Sequence, residues 1–299
     1  MNIAQLNQNF GITNTVRFVE GQGGLPFIQV NTDKAQALIS VYAGQVLSFK
    51  PINQEADLMF LSTKAYYQAG KAIKGGVPIC WPWFGADPEG KGRPAHGFVR
   101  NRMWEVIETG VNPLGEVKVT LGLNDTPETQ AIWPYAFQLR LIITISDTLN
   151  LELTTHNTGG QAFAITQAFH TYFGVKDIHH ATVAGLDGKS YLDKVDAGNQ
   201  KLQSGDVKIS SEVDRIYLKV SNDLIIRDAA LKREIIIRSQ GSQTAVVWNP
   251  WEKISKEMAD LLDDDYSRLL CVETTNAATD TILIQPGNRF SLIAQYQVK

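Results

Sequence analysis

The sequence predicts an all-β protein made of antiparallel sheets with a few short helices. Segments rich in isoleucine, valine, threonine and aromatic residues recur along the chain, and such residues fit a pleated, half-buried surface. Turn signals separate these segments at short intervals, which is typical of a β-sandwich or a barrel. Helical patterns are few, and no repeat, low-complexity tract or Pro/Ser-rich linker divides the sequence. We therefore expect residues 1–299 to form a single domain.

Two segments carry helical patterns. The first, "DTPETQAIWP" (125–134), has Asp125 or Thr126 as a capping residue and a proline near its first turn, and Pro134 ends it. The second, "WEKISKEMADLL" (251–262), predicts a helix of two or three turns. Both are short, so the helices contribute little to the predicted core.

Strand patterns fill most of the remaining sequence. Asp147 and Thr148 lie between the first two of them and predict a hairpin. In chain order the strands are "FQLRLIITIS" (137–146), "LNLELTTHN" (149–157), "REIIIRS" (233–239), "TAVVWNP" (244–250), "LLCVETT" (269–275) and "RFSLIAQYQV" (289–298).

Composition and charge exclude several classes of protein. Hydrophobic residues make up 43% of the 299 and charged residues 20%, which allows a large core and argues against a disordered chain. The formal net charge is −3 and the basic residues are scattered, so we expect no nucleic-acid partner. No stretch approaches the roughly 18 consecutive apolar residues of a membrane span. We therefore expect no membrane partner either.

The N-terminus and the cysteines suggest an ordinary intracellular protein. The first residues lack the basic start and apolar core of a signal peptide, so we expect the mature protein to begin here and to be cytoplasmic by default. Cys80 and Cys271 are too few for a disulfide framework, and they lack the spacing of a zinc site. We expect both to be small buried apolar residues.

His170 is the histidine with the most informative surroundings. It lies among aromatic residues in "TQAFHTYFGV" (166–175). Strand alternation places Ala168, His170 and Tyr172 on one face and the residues between them on the other. This segment by itself leaves a structural and a functional role equally open.

Glu273 favours the functional interpretation. In "LLCVETTN" an ionisable carboxylate lies in an otherwise apolar strand, on the same face as Cys271 and Thr275. Burying such a charge without a partner is costly, so it is paired, bound to a ligand or functional. A buried ion pair with an arginine is the alternative. A histidine and a carboxylate on separate strands of one sheet can flank a pocket and serve as general acid and base.

Other motifs indicate less. The sequence has no GxGxxG or Walker pattern and no GxSxG elbow, so we expect no nucleotide cofactor. The adjacent His179 and His180 are not interpreted as a metal pair, and the "DDD" segment (263–265) predicts a solvated loop rather than a calcium site. Four tryptophans are each better explained as core, although sugar pockets also use such rings: Trp81, Trp83, Trp248 and Trp251.

Several motifs follow one another in an order that resembles a known family. They are "KGGVPICWPWFG" (74–85), "PAHGFVRNRMW" (94–104), "FHTYFGVKDI" (169–178), "VDRIYL" (213–218), "VVWNPWEK" (246–253) followed by "MAD" (258–260), and "CVET" (271–274). From about Val41 to the C-terminus, the chain resembles the aldose 1-epimerase family, and within it the glucose-6-phosphate 1-epimerase (D-hexose-6-phosphate mutarotase) branch. The resemblance implies a galactose mutarotase-like β-supersandwich that interconverts the α and β anomers of a hexose 6-phosphate.

The resemblance also implies roles for individual residues, by motif position. His170 resembles the general acid and Glu273 the general base. Lys74 and Arg100 resemble phosphate-side binding residues, Asp214 resembles a ligand of a sugar hydroxyl, and His96 resembles a substrate-binding histidine. We assign no role to Arg102, for which a structural role is the alternative.

This chain departs from the family pattern at two positions. The family commonly has arginine where this chain has Lys74, and lysine keeps the charge but loses the fork that matches phosphate geometry. Some relatives have glutamine where Ala95 stands, and alanine donates no hydrogen bond. Both departures bear on selectivity for phosphate rather than on the acid–base pair.

The implied reaction needs little machinery. One group takes the proton of the anomeric hydroxyl while the other protonates the ring oxygen, and the opened sugar closes again after rotation at C1. No electron or group is transferred, so we expect no metal and no cofactor, only a small hexose phosphate as ligand of a monomer. The alternatives are a mutarotase for unphosphorylated aldoses and a non-catalytic carbohydrate-binding or regulatory domain. An acid–base pair favours catalysis, since a binding module has no need of one.

Overall fold

A computed structural model describes residues 2–299, and strands dominate it. Its α-helices are α1 (Ile3–Phe10), α2 (Pro127–Ile132) and α3 (Trp251–Glu257). Across residues 2–299, none of the helices has the length and apolar character needed to cross a membrane.

The helix between residues 125 and 134 is capped by Thr126. The Thr126 hydroxyl accepts the backbone N–H of Thr129, and the Thr129 hydroxyl oxygen accepts the N–H of Thr126, a reciprocal capping box. The other capping candidate, Asp125, instead accepts the N–H of Phe137 and fixes the following strand.

The helix that begins at Trp251 is shorter than the sequence pattern, with two turns ending at Glu257. Beyond it the chain turns, because the Ser255 hydroxyl donates to the carbonyl of Leu262 and the Asp265 carboxylate accepts the N–H of Leu262. Asp265 is buried and ion-paired with Arg268, so the expectation of a solvated acidic segment is wrong for this residue.

The strands follow in chain order. The first part of the chain contains β1 (Val16–Glu20), β2 (Pro26–Asn31), β3 (Ala35–Ser40), β4 (Gln45–Pro51), β5 (Ile79–Cys80), β6 (Glu105–Val111), β7 (Val117–Asn124), β8 (Phe137–Ile145), β9 (Thr148–Asn157), β10 (Phe163–Ile165), β11 (Gln167–Phe169) and β12 (Tyr172–Gly174). The second part contains β13 (Ala181–Ala184), β14 (Ser190–Asp193), β15 (Asn199–Leu202), β16 (Val207–Lys208), β17 (Val213–Leu218), β18 (Leu224–Asp228), β19 (Arg233–Gln240), β20 (Thr244–Asn249), β21 (Leu269–Asn276), β22 (Ile282–Ile284) and β23 (Arg289–Val298).

Two large antiparallel sheets dominate the described chain. One, here called the site sheet, has the strand order β15-β14-β17-β20-β21-β11-β5, with β12 also paired to β21. The other, here called the back sheet, has the order β16-β13-β18-β19-β23-β9-β8-β7-β6. Smaller antiparallel sheets join β1-β2-β3-β4 and β10-β22. The predicted all-β, antiparallel class is confirmed.

The hairpin between β8 and β9 differs from the sequence prediction by one residue. Its turn is Ser146–Asp147, and Thr148 already belongs to β9. The Ser146 N–H donates to the carbonyl of Thr148, and the Ser146 hydroxyl oxygen accepts the N–H of Thr148, so serine closes the turn.

The core lies between the site sheet and the back sheet. Hydroxyl contacts join the two layers at Thr171 and Tyr296, 2.6 Å apart, and at Ser239 and Thr274, 2.7 Å apart. Strand β9 alternates between buried and half-buried residues, whereas β21 is buried along its whole length. One face of β21 packs on the back sheet and the other forms the floor of a cavity. This explains why the β21 segment reads as a nearly continuous apolar run interrupted by Glu273.

Candidate active site

All six residues to which the sequence analysis assigned a role line one cavity of about 600 Å³ on the outer face of the site sheet. The floor comes from β17, β20 and β21, and the walls come from the segments before β5 and after residue 83. The assigned residues are Lys74, His96, Arg100, His170, Asp214 and Glu273.

His170 lies where the chain leaves β11 and before it enters β12. The Thr171 N–H donates back to the carbonyl of Phe169, and the His170 N–H donates to the carbonyl of Pro78, so the backbone bends at this point. The imidazole stacks on Tyr172, with ring centroids 4.8 Å apart and planes 8° apart. Both rings face the cavity while Phe169 and Phe173 enter the core, as the alternation predicts.

Glu273 lies at the middle of β21, opposite Val246 of β20. Its side chain is only 1% exposed, and its Oε1 lies 3.4 Å from Nδ1 of His170. The nearest ionisable partner is therefore this histidine, rather than the arginine that the alternative interpretation requires. Among residues 2–299, the second carboxylate oxygen, Oε2, has no hydrogen-bond partner.

Burial shifts the two groups in opposite directions. It raises the pKa of Glu273 well above 4.5; nearby Asp214 raises it further, and Arg100 opposes. Burial lowers the pKa of His170 well below 6.5, and the neighbouring His96, Arg100 and Lys74 lower it further. A nearby carboxylate would by itself favour a charged histidine, and burial outweighs that attraction here. Desolvation therefore disfavours the charged form of each member of the pair.

Arg100 and Lys74 supply positive charge to one side of the cavity. Arg100 lies in a short 3-10 turn, Val99–Asn101, and its guanidinium donates to the carbonyl of Ala95 at 3.0 Å. Lys74 Nζ lies 3.5 Å from a carboxylate oxygen of Asp260, and its side chain is 16% exposed. Burial lowers the pKa of Lys74, which Asp260 opposes and Arg100 reinforces.

Arg102 turns away from this cavity. Its guanidinium pairs with Glu128 at 2.9 Å and lies over the ring of Phe98, 5.6 Å from the ring centroid. These contacts support the structural role that the sequence analysis considered for Arg102.

His96 sits in a left-handed turn, with φ of 64°. Its backbone N–H donates to the carbonyl of Gly85 at 2.7 Å, and its ring Nδ1 accepts the N–H of Gly85 at 3.2 Å. Since Nδ1 accepts, the proton of the neutral ring is on Nε2. Burial, with Arg100 and Lys74 adding, lowers the pKa of His96 to about 3, so this histidine is neutral near pH 7.

Asp214 lies on β17 beside Trp248 of β20 and faces the same cavity as Glu273. Its pKa is raised to about 6, mainly by burial; Glu212 and Asp193 raise it further and Lys194 opposes. It is therefore ionised above about pH 6 and can accept a hydrogen bond from a hydroxyl group.

Sequence reasoning did not assign several residues that line the cavity. Core was the better explanation for each tryptophan; this is confirmed for the buried Trp81 and Trp83 but wrong for Trp248, which lines the cavity. Lys194 follows β14 in a 3-10 turn, and the ring of Tyr172 stacks on His170. No signal in the sequence marks Lys194, because only the pairing of β14 with β17 brings it near Asp214.

A buried histidine–carboxylate pair and two cations therefore share one pocket on the outer face of an antiparallel sandwich. Residues 26–297 match the aldose 1-epimerase family, and the chain belongs to that family. It is therefore an enzyme of the epimerase type.

Individual relatives agree with this family. A protein of Cenchrus ciliaris provisionally named glucose-6-phosphate 1-epimerase is 39% identical over 263 residues, which cover 85% of this chain and 78% of that protein. A protein of Escherichia coli (strain K12) with the same provisional name is 36% identical over 255 residues, covering 85% and 84%. The crystal structure of YeaD from Salmonella typhimurium, provisionally named a mutarotase, superposes with a TM-score of 0.90 at 31% identity, covering 97% of this chain and 95% of that one.

Proposed function

We propose that this enzyme interconverts the α and β anomers of a hexose 6-phosphate, with glucose 6-phosphate as the preferred substrate. The observation that carries the proposal is the placement of the His170–Glu273 pair, 3.4 Å apart, in one cavity with the cations Lys74 and Arg100. The provisional names of the relatives support the same substrate.

The pair accounts for the proton movements of the reaction. Ionised Glu273 takes the proton of the anomeric O1 hydroxyl, and protonated His170 gives a proton to the ring oxygen O5, so the C1–O5 bond breaks and an aldehyde forms. After rotation at C1, His170 takes its proton back from O5 and Glu273 returns its proton to O1. The pair therefore ends with the single proton with which it began.

A phosphorylated substrate suits the electrostatics of this cavity. The reactive form, with Glu273 ionised and His170 charged, holds the same number of protons as the neutral pair that burial favours. Arg100 and Lys74 disfavour a charged His170, and a phosphate of about −2 charge offsets them when it binds. Substrate binding thus shifts the pair toward the reactive form.

The other polar and aromatic residues of the cavity hold the sugar in this proposal. Asp214 accepts a hydrogen bond from a sugar hydroxyl, neutral His96 donates from Nε2, and Trp248 offers an apolar ring face to the sugar. The monomeric state expected from the sequence also remains a prediction. The single domain and the cytoplasmic location remain predictions from the sequence.

Substituting Arg100 with alanine tests the substrate. We expect kcat/KM for glucose 6-phosphate to fall by an amount equivalent to about 2–5 kcal/mol, because a phosphate contact in a buried site is lost. Turnover of glucose should change far less, since glucose has no phosphate. Anomer exchange followed by NMR on both sugars measures this difference.

Arg102→Ala is the matched control for this experiment, because Arg102 lies two residues away and pairs with Glu128 outside the cavity. It should leave the ratio of the two kcat/KM values unchanged. If the wild-type enzyme turns over both sugars equally, or Arg100→Ala weakens both equally, a mutarotase for unphosphorylated aldoses becomes the better interpretation.

Asp214 predicts a pH dependence of substrate binding. With its pKa at about 6, the carboxyl loses its negative charge as the pH falls through that value, so its hydrogen bond with a sugar hydroxyl weakens. KM for glucose 6-phosphate should therefore rise below about pH 6 in the wild type. In Asp214→Asn, KM should be higher at neutral pH and should lack this inflection. An inflection that persists in the variant would assign it to another group, such as the substrate phosphate.

A further inference from the structure

Cys271 lies beside the acid–base pair and has no part in the proposed reaction. It is two residues from Glu273 on the same face of β21, so its thiol is carried next to the carboxylate. The candidate ligand atoms of His170, Cys271 and Glu273 all lie within 4.8 Å of one another, and all three residues are buried. An imidazole and a carboxylate of the cavity lining therefore lie close to a buried thiol.

The spacing of two of these atoms fits a tetrahedral metal ion. Zinc binds histidine nitrogen and carboxylate oxygen at about 2.0–2.2 Å, which places two such ligand atoms roughly 3.3–3.5 Å apart at a tetrahedral angle. The distance between His170 Nδ1 and Glu273 Oε1 is 3.4 Å. At a Zn–S distance of about 2.3 Å the sulfur would lie about 3.6 Å from the other two ligand atoms. The thiol lies within 4.8 Å of both, so it has to approach by at most about 1.2 Å.

One of these two atoms, and the second oxygen of the Glu273 carboxylate, lack hydrogen-bond partners within residues 2–299. Within the part of the chain that the structure describes, Nδ1 of His170 and Oε2 of Glu273 are buried without a hydrogen-bond partner. The two residues are 8% and 2% exposed. Buried polar groups are normally satisfied, and both side chains have lone pairs available to a cation.

The chemistry of the set selects a class of cation. Magnesium and calcium prefer oxygen ligands, whereas a thiolate with an imidazole suits zinc and neighbouring transition metals. One thiolate and one carboxylate carry a charge of −2, which neutralises a divalent ion and limits the cost of burying it. Three protein ligands leave a fourth position open toward the cavity.

We propose that His170, Cys271 and Glu273 form a site for Zn²⁺ that blocks the acid–base pair. Binding releases the thiol proton, and the proton shared by the pair, to solvent; no electron is transferred. Because the ion occupies both His170 and Glu273, it competes with the sugar. The metal site itself stands on the geometry alone, and only its inhibitory effect rests on the proposed mutarotase activity.

Cobalt(II) reports on this site without an activity measurement. Adding Co²⁺ to the whole wild-type protein should produce a near-ultraviolet thiolate-to-cobalt charge-transfer band that saturates at one equivalent, and Zn²⁺ should displace it. Cys271→Ser should lose the band. Cys80→Ser is the matched control, because Cys80 is the other cysteine, is equally buried and lies in the same sheet; it should keep the band.

Inhibition is measured in parallel. Zn²⁺ should raise the apparent KM for glucose 6-phosphate without lowering kcat, and a chelator should reverse the effect. Cys271→Ser leaves the proposed acid and base in place, so it should keep its basal activity, and its inhibition constant for Zn²⁺ should rise at least tenfold. Cys271→Ala provides a second variant if serine disturbs the fold.

The outcomes separate this proposal from the proposed function. Absence of the band in wild-type protein, its persistence in both Cys271 variants, or equal Zn²⁺ inhibition of wild type and Cys271→Ser would overturn the metal site. A band that depends on Cys271 in a protein without mutarotase activity would support the metal site and overturn the proposed function. Mutarotase activity in a protein that binds no Co²⁺ would support the proposed function and overturn the metal site.

Discussion

Replacing Glu273 with glutamine is expected to lower kcat for anomer exchange by about 10²–10⁴-fold while the fold is retained. Glutamine keeps the shape of the side chain but cannot take the proton of the anomeric hydroxyl. Polarimetry or NMR exchange on glucose 6-phosphate, corrected for the exchange in protein-free buffer, measures the loss. Glu108→Gln is a control, because this glutamate is exposed and pairs with Lys118 away from the cavity.

The same substitution should not destabilise the protein near neutral pH. Burial raises the pKa of Glu273 in the folded state, so ionising this carboxyl opposes folding once the pH exceeds its unfolded value of 4.5. That cost grows as the pH rises toward the folded pKa, and glutamine removes it. We expect the Tm of Glu273→Gln at pH 7–8 to equal or exceed that of the wild type.

A folded Glu273→Gln variant with wild-type activity would exclude Glu273 as the base and favour a carbohydrate-binding module.

Replacing His170 with asparagine should cause a loss of similar size, because the ring oxygen then leaves without a proton donor. Asparagine is smaller and does not stack on Tyr172 as imidazole does, so circular dichroism must accompany the rate measurement. His156→Asn is the matched control, since His156 lies on β9 of the back sheet, away from the cavity. An effect of His156→Asn comparable to that of His170→Asn would assign the loss to the fold rather than to catalysis.

The pH profile of the wild type follows from the same pair. The reaction needs one proton on the pair, so kcat/KM should fall at low pH, where both groups are protonated, and at high pH, where neither is. Because burial lowers the pKa of His170 and raises that of Glu273, the acid limb should lie below 6.5 and the alkaline limb above the usual range of a glutamate. A profile without an alkaline limb would contradict the one-proton requirement.

The secondary structure was largely predictable from local patterns. The alternation in residues 137–157 predicted β8 and β9, and the order of the motifs predicted the family. The errors are local and have local causes: Ser146, with Asp147, forms the hairpin turn in place of Asp147 and Thr148, and Asp265 is buried because it accepts the N–H of Leu262 and pairs with Arg268. Hydrogen bonds from side chains to the backbone decide these turns and loops, and the periodicity of apolar residues does not predict them.

The candidate site was predictable in part, and the roles of its residues remain predictions. Glu273 was identifiable because burying a carboxylate in an apolar strand is costly unless it is paired, bound to a ligand or functional. His170 was identifiable because strand alternation placed it on one face of its strand with Tyr172. Lys194 was missed, since its proximity to Asp214 depends on which strands become neighbours in the sheet.

The sequence by itself determined the all-β class, the face of each strand on which His170 and Glu273 lie, and the family to which the chain belongs. These properties follow from the two-residue period of a strand and from motif order, which are local and linear. Only the tertiary structure decided that His170 faces Glu273 and Cys271, that Lys74 is paired with Asp260, and that the pKa of His170 is lowered rather than raised. The reason is that desolvation and charge–charge interactions depend on the distances between residues of separate strands and loops, which the order of residues along the chain does not contain.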